Sequence, residues 1–411
     1  MIDSGTAVNQ QARRSDTPAS AAPRTTAPAA AAPLHLVILD YRDIRHPEAG
    51  GAEVYMYEIF RRIAAYGYRV TWISAGDAGA GTGDEREGNL RMVRVGNKAT
   101  ANFTSVREAL RVARTEHVDL FIENLCKIPF FLPVYTNAPV LPIVLHLFGE
   151  TVFREANPLV ASYVWMYERF IPRVYRGQPF VALSDSTASD LRRRGVQARW
   201  VDVVPPGLDL EQYRSTGGDR PREPLVVYVG RLKRYKQIDL VLTAFAEVRR
   251  RRPESRMVVL GKGDDRPRLE QVAVKCGIAD AVDFRGFVDE DEKIDWMRRA
   301  RVVVYPSPKE GWGISTTEAA ACGTPVVASD SEGLRDAVRA DETGFLVPHE
   351  DVAAWAERIE SLLTDDALFA RLSRGALAWA QEFDWEARAT QMRLIIERAV
   401  AEARDPSGEK R

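Results

Sequence analysis

The chain has 411 residues, 45% of them hydrophobic and 28% charged, with a formal net charge of -1. That composition suits a globular protein of two domains and lacks the basic excess by which a general nucleic-acid binder grips phosphates. Cys126, Cys276 and Cys322 form no CxxC pair, and the five histidines show neither HxxxH nor HExxH spacing, so a disulfide framework and a zinc site are both disfavoured.

Residues 1–33 are rich in Ala, Pro, Thr and Gln and lack the compact apolar core of a secretory signal. They carry too little apolar surface to offset chain entropy and are expected to be disordered. A strand follows at 34–41 (LHLVILDY), then a loop with Gly50-Gly51 and a helix over 52–65 ended by Gly67. Further strands are expected near 68–74, 90–95, 119–125, 142–147 and 180–184, with a helical stretch over 158–175 and a Gly- and Asp-rich surface loop at 76–88. Residues 129–148 have the length of a bilayer span, but four prolines, Thr136, Asn137 and His146 interrupt them. Two buried extended segments joined by a Tyr-Thr-Asn-Ala turn are expected there instead.

The second half repeats the alternation of short apolar runs and amphipathic helices that marks βαβ units around a parallel sheet. Its strands are expected near 224–230, 256–261, 282–285, 302–306, 325–328 and 344–347, its helices over 237–252, 266–275, 289–299 and 315–321. Residues 351–403 read as helical with a break at Phe383-Asp384-Trp385. The expected fold class is α/β, with two Rossmann-like domains facing a central cleft. In open α/β sheets ligands bind beyond the carboxyl ends of the strands.

The strongest motif is Tyr305-Pro306-Ser307-Pro308-Lys309-Glu310-Gly311-Trp312-Gly313-Ile314-Ser315-Thr316-Thr317-Glu318. Gly311 and Gly313 let backbone approach a ligand, and exposed N–H groups at the helix start suit a diphosphate. Glu310 and Glu318 can each accept paired bonds from vicinal hydroxyls of a sugar or a ribose. Two such glutamates in isolation would be ordinary surface residues; the glycine loop and the small-residue helix argue otherwise. A second motif, Val229-Gly230-Arg231-Leu232-Lys233-Arg234-Tyr235-Lys236-Gln237, puts a guanidinium at a strand end and an ammonium at the next helix start, a pair able to neutralise a leaving diphosphate.

These residues resemble the E-x7-E region of the family 4 retaining glycosyltransferases, whose twin-Rossmann fold is called GT-B. The resemblance runs from about residue 34 to 385. It implies an N-terminal acceptor domain over 34–205, a linker at 206–223, a donor-binding domain over 224–384, a crossing helix at 385–403 that returns to the first domain, and a disordered tail at 404–411. By the same resemblance Glu318 binds the donor ribose, and Glu310 contacts the transferred sugar with the N–H groups of Trp312, Gly313 and Ile314. Arg231 and Lys236 hold the diphosphate, Gly50 and Gly51 come near the donor phosphate, Val288 borders the base, and His146 lies close to the sugar. Gln237 stands where the family usually has glycine. Glu53 fits either that loop or simple stabilisation of the helix start. Lys293 fits either the donor or a helix surface, and Glu123, Asn124 and Lys127 are weaker candidates to face the acceptor.

The implied activity is transfer, with retention, of a sugar from a nucleotide diphosphate sugar, without metal or other cofactor. The acceptor is open among sugars, lipid-linked molecules and small natural products. A cytoplasmic enzyme follows, with peripheral membrane contact through the helix over 52–65 as an alternative to a core-facing role for that helix; oligomeric state is open. Competing readings are a sugar-nucleotide epimerase or phosphorylase of the same plan, and a non-catalytic sugar-nucleotide sensor.

Overall fold

The computed structural model describes residues 33–76, 81–125, 128–149, 152–155, 158–213 and 222–405. The expected N-terminal tail, Cys126, Lys127 and most of the C-terminal tail lie outside them. Among the described residues eight strands form a first sheet: β1 His35–Leu39, β2 Arg69–Ala75, β3 Gly83–Glu87, β4 Leu90–Val95, β5 Leu120–Asn124, β6 Val140–Val144, β7 Phe180–Ala182 and β8 Val201–Val203. Their order is β3-β4-β2-β1-β5-β6-β7-β8, parallel except for the antiparallel edge pair β3–β4. Six more form a second, parallel sheet in the order β11-β10-β9-β12-β13-β14: β9 Leu225–Val229, β10 Arg256–Leu260, β11 Val282–Gly286, β12 Val302–Tyr305, β13 Val326–Ser329 and β14 Gly344–Val347. Central strands such as HLVIL and LVVYV are buried along their whole length, as strands covered by helices on both faces must be.

The first domain's helices are α1 Gly51–Ala65, α2 Ala101–Thr115, α3 Val152–Glu155, α4 Pro158–Glu168, α5 Ile171–Val174, α6 Asp185–Arg193 and α7 Leu210–Tyr213. Those after β9 are α8 Ile238–Arg251, α9 Arg266–Lys275, α10 Glu290–Arg299, α11 Ile314–Ala321, α12 Leu334–Ala337, α13 Val352–Thr364, α14 Asp366–Ala380 and α15 Trp385–Arg404. Three expectations need correction. The loop at 76–88 contains β3, an edge strand whose polar sequence GDERE carries no apolar alternation. Between residues 129 and 148 only β6 is a strand. The first half is instead a 3₁₀ turn, Leu132–Val134, entered through Phe131 at φ 56. The C-terminal helical run also breaks at Asp365, whose side chain caps α14 by accepting from the Leu368 N–H.

α15 crosses to the first domain. Trp385 meets Tyr55 of α1 at 6.3 Å between ring centroids, the Tyr68 hydroxyl donates to Glu397 at 2.5 Å, and the Gln391 amide donates to the Val203 carbonyl at 2.9 Å. A Cβ on Gly207 would lie 2.7 Å from the Trp385 Cα, so only glycine admits this crossing. Tyr55, Met56, Ile59, Phe60 and Ile63 of α1 are all buried. The apolar face of α1 is therefore core, and the membrane contact weighed for it is not available.

Candidate functional site

Beyond the carboxyl ends of β9 and β12, the two sequence motifs meet. Lys236, buried at the end of a 3₁₀ turn Arg234–Lys236, is ion-paired with Glu310. Its Nζ lies 5.1 Å from the Tyr235 ring centroid and 5.5 Å from that of Tyr305. Burial works most strongly, to lower the lysine pKa, but the Glu310 charge, Tyr235, Tyr228 and the hydrogen bond to Glu310 together turn the net shift upward. Glu318, on the buried helix α11, accepts from Lys293 at 2.9 Å; Lys293 also pairs with Glu290 at 2.7 Å. Lys293 is thus tied to the helix of Glu318 rather than being a helix-surface residue.

α11 starts at Gly313, whose φ of 98 favours glycine and turns the loop into the helix. The Trp312 indole packs away from this loop on Phe383 at 5.5 Å, so Trp312 offers a ligand only its backbone. A Cβ on Gly51 would come within 2.9 Å of Ile314 Cδ1, and one on Gly50 within 3.4 Å of Arg231 Nη2. The first domain's glycine loop therefore abuts both the α11 start and the Arg231 guanidinium. Glu53 receives the Gly50 N–H at 2.7 Å, a capping role for α1. Val288 is half-buried between β11 and α10.

His146, just past β6, is half-buried, with its ring edge-on to Phe148 at 4.8 Å. Burial, together with the charges of Lys309 and Lys236, pulls its pKa down to about 4 against the opposing pull of Glu310. The imidazole is therefore neutral near pH 7. Gly311 approaches the same strand end so closely that a Cβ would lie 2.3 Å from the Leu145 carbonyl oxygen. Lys309 bridges the domains, reaching Asp190 of α6 and Glu332 at 3.3 Å each.

Glu123 does not face an acceptor. It is fully buried and collects the N–H groups of Phe130, Phe131 and Leu132 at 2.7, 3.1 and 3.2 Å plus the Tyr175 hydroxyl at 2.5 Å. It staples the loop after β5 from within. Asn124 is buried beside Asp40, to which its amide donates at 3.0 Å.

Gln237 adopts φ 51, the left-handed conformation that a glycine would take without strain. Its Oε1 accepts from His349 Nε2 at 2.5 Å, and His349 Nδ1 faces the Ser329 hydroxyl at 2.8 Å. Since a carbonyl oxygen can only accept, Nε2 carries the proton and Nδ1 accepts from Ser329. Nothing local in the sequence marks His349, which lies 112 residues from its partner in the chain. Among the described residues no group of three or more His, Cys, Asp or Glu is arranged to hold a metal ion.

Two family models match end to end: Glycosyltransferase Family 4 over residues 49–212 and Glycosyl transferases group 1 over residues 210–379. With two facing Rossmann-like domains and the crossing α15, they define a glycosyltransferase-like protein of the GT-B fold. Among curated relatives, the D-inositol 3-phosphate glycosyltransferase of Xylanimonas cellulosilytica is 35% identical over 255 residues, spanning 56% of this chain and 60% of that protein. The Frankia alni protein of the same name is 40% identical over 207 residues, spanning 46% of this chain and 51% of its own length. Among solved structures, sucrose-phosphate synthase from Thermosynechococcus elongatus superposes with a TM-score of 0.77 at 24% identity, over 90% of this chain and 99% of that one. Anabaena HepE in complex with UDP and glucose gives 0.72 at 18% identity, over 89% and 99%. At these identities the structures speak for the fold.

Proposed function

We propose that this protein is a retaining glycosyltransferase that moves a hexose from a nucleoside diphosphate donor to an acceptor held by the first domain. The observation that carries the reading is convergence. Arg231, the Lys236–Glu310 pair, the start of α11 and the Gly50–Gly51 loop close on one point between two sheets. In this reading Arg231, Lys236 and the N–H groups of Trp312, Gly313 and Ile314 stabilise the charge that grows on the leaving diphosphate. Glu310 exchanges its pairing with Lys236 for hydroxyls of the sugar, and Glu318 takes the ribose. The neutral His146 orients the sugar and the acceptor for attack on the face the diphosphate leaves, which favours retention. The cationic pair does the work a metal ion does elsewhere, so the reaction is metal-independent, and the enzyme works in the cytoplasm.

The relatives named D-inositol 3-phosphate glycosyltransferases support a phosphorylated polyol among the first acceptors to try, and the HepE complexes with UDP and UDP-glucose support UDP as the first nucleotide. The test is a thermal-shift screen of UDP-, GDP-, ADP- and dTDP-sugars, followed by acceptor-dependent release of the nucleoside diphosphate. An axial donor bond should give an axial product bond by proton NMR. Epimerisation, release that needs no acceptor, or an inverted product would each contradict the proposal.

A further inference from the structure

The chain crosses between the sheets after β8 and returns at the turn into α15. The Leu208 N–H donates to the Phe383 carbonyl at 2.7 Å, so the two crossings are bonded to each other. α7, the short helix just past Leu208, ends at Tyr213, a buried residue. α10 holds this tyrosine at both ends. The Tyr213 carbonyl accepts from Arg298 at 3.0 Å, near the C-terminus of α10, and the Tyr213 hydroxyl donates to Glu290 Oε1 at its N-terminus. Lys293 Nζ meets that same Glu290 oxygen at 2.7 Å and Glu318 Oε1 at 2.9 Å, and lies 5.8 Å from the Tyr213 ring centroid. Side chains from α7, α10 and α11 thus form one chain of charge-assisted bonds. It runs from the junction of the domains to the glutamate assigned above to the donor ribose.

A buried phenol needs a hydrogen-bond partner, and any acceptor satisfies it. Here the acceptor is a side chain that burial does not hold. Glu290 is 43% exposed, and a free glutamate at such a position samples several rotamers. The Tyr213 hydroxyl keeps its carboxylate against the ammonium. Lys293 carries its charge on a flexible stem, and Glu290 keeps that charge from following the anionic donor. The consequence appears at the far end of the chain. With Lys293 on Oε1, Glu318 Oε2 takes no hydrogen bond from another side chain among the described residues. That oxygen is left for a ligand hydroxyl, and its direction is set through Lys293.

We propose that Tyr213 is a positioning residue for the donor ribose: through Glu290 and Lys293 it orients the Glu318 carboxylate. Resting on the function proposed above, this deepens it, because ribose recognition then depends on a residue of the segment that joins the domains.

Calorimetric titration of the full chain reads this as a preference for ribose hydroxyls. Whichever of UDP, GDP and ADP binds most tightly is compared with its 2′,3′-dideoxy counterpart, which keeps the base and the diphosphate and lacks the hydroxyls that Glu318 would take. The parent chain should prefer the ribonucleotide by roughly tenfold or more, the value of a hydrogen bond to a charged group. Tyr213→Phe keeps the buried ring and should cut that preference to about threefold or less, with the dideoxy nucleotide bound as before. Lys293→Met should lose the preference to the same extent. Adding Tyr213→Phe to it should change nothing further, since groups acting through one another do not add. A Tyr213→Phe protein that keeps the parent's preference overturns the proposal. So does one that loses affinity equally for both nucleotides, the mark of a role in packing alone, and so do additive losses in the double variant. A parent chain that binds none of the nucleotides takes the functional reading down as well. A parent that prefers the ribonucleotide beside an unchanged Tyr213→Phe leaves that reading standing and removes only the role of Tyr213.

Discussion

Replacing Glu310 with Gln isolates the ion pair at the centre of the site. Lys236 is 6% exposed and Glu310 is its carboxylate partner. Burial alone would depress the ammonium; the Glu310 charge is the largest of the contributions that raise it. The substitution strands a buried cation, and breaking one side of a buried pair costs about 3–5 kcal/mol. At roughly 2–4 °C per kcal/mol for a domain of this size, the melting transition should fall by about 6–20 °C. A nucleoside diphosphate brings a replacement anion to Lys236, so UDP should raise the transition more in Glu310→Gln than in the parent chain, as linkage requires. Differential scanning fluorimetry with and without saturating UDP reads both effects. A variant that melts with the parent, or gains no more than the parent from UDP, would refute the claim that Glu310 holds the diphosphate's place on Lys236.

Gln237→Gly should be close to neutral in stability, within about 1 kcal/mol, because relief of the left-handed backbone offsets the lost bond to His349. His349→Ala should cost about 1–2 kcal/mol and weaken donor binding, and Gln237→Gly should suppress most of that effect; double-mutant analysis of melting and of donor KM checks the coupling. Glu123 is held near pKa 7 by burial, above its unfolded value, so its contribution to stability is complete below about pH 4.5 and is lost as pH rises toward 7. Glu123→Gln should therefore flatten the decline of stability between those pH values, measured by urea melts across pH. Asp190→Ala removes a buried first-domain carboxylate that Lys309 reaches across the cleft and that also pairs with Arg194; it should cost about 3–5 kcal/mol in melting and increase protease sensitivity in the absence of donor.

The two sheets were legible because parallel strands buried on both faces read as unbroken Val, Ile and Leu runs, and the Glu310–Glu318 and Arg231–Lys236 segments were legible because loop glycines and charged residues sit at their strand ends. What escaped was tertiary. β3 has no apolar residue to reveal it and exists through pairing with β4. α2 was not anticipated, and its Thr100 N-cap makes no side-chain cap bond that would mark its start. Glu123 looked like a solvent-facing acid at a strand end, yet three backbone N–H groups and Tyr175, which is 52 residues away, draw it inward. The non-glycine residue at Gln237 becomes intelligible only with His349, which arrives from the end of the last strand.

The most direct test of the account is calorimetric titration of UDP-sugar donors into the parent chain and into the Arg231→Ala, Lys236→Ala double variant, with turnover followed in parallel. Binding should weaken by roughly a hundredfold or more when both charge-assisted contacts to the diphosphate are removed, with transfer abolished. Donor affinity and transfer that survive the double substitution unchanged would contradict it.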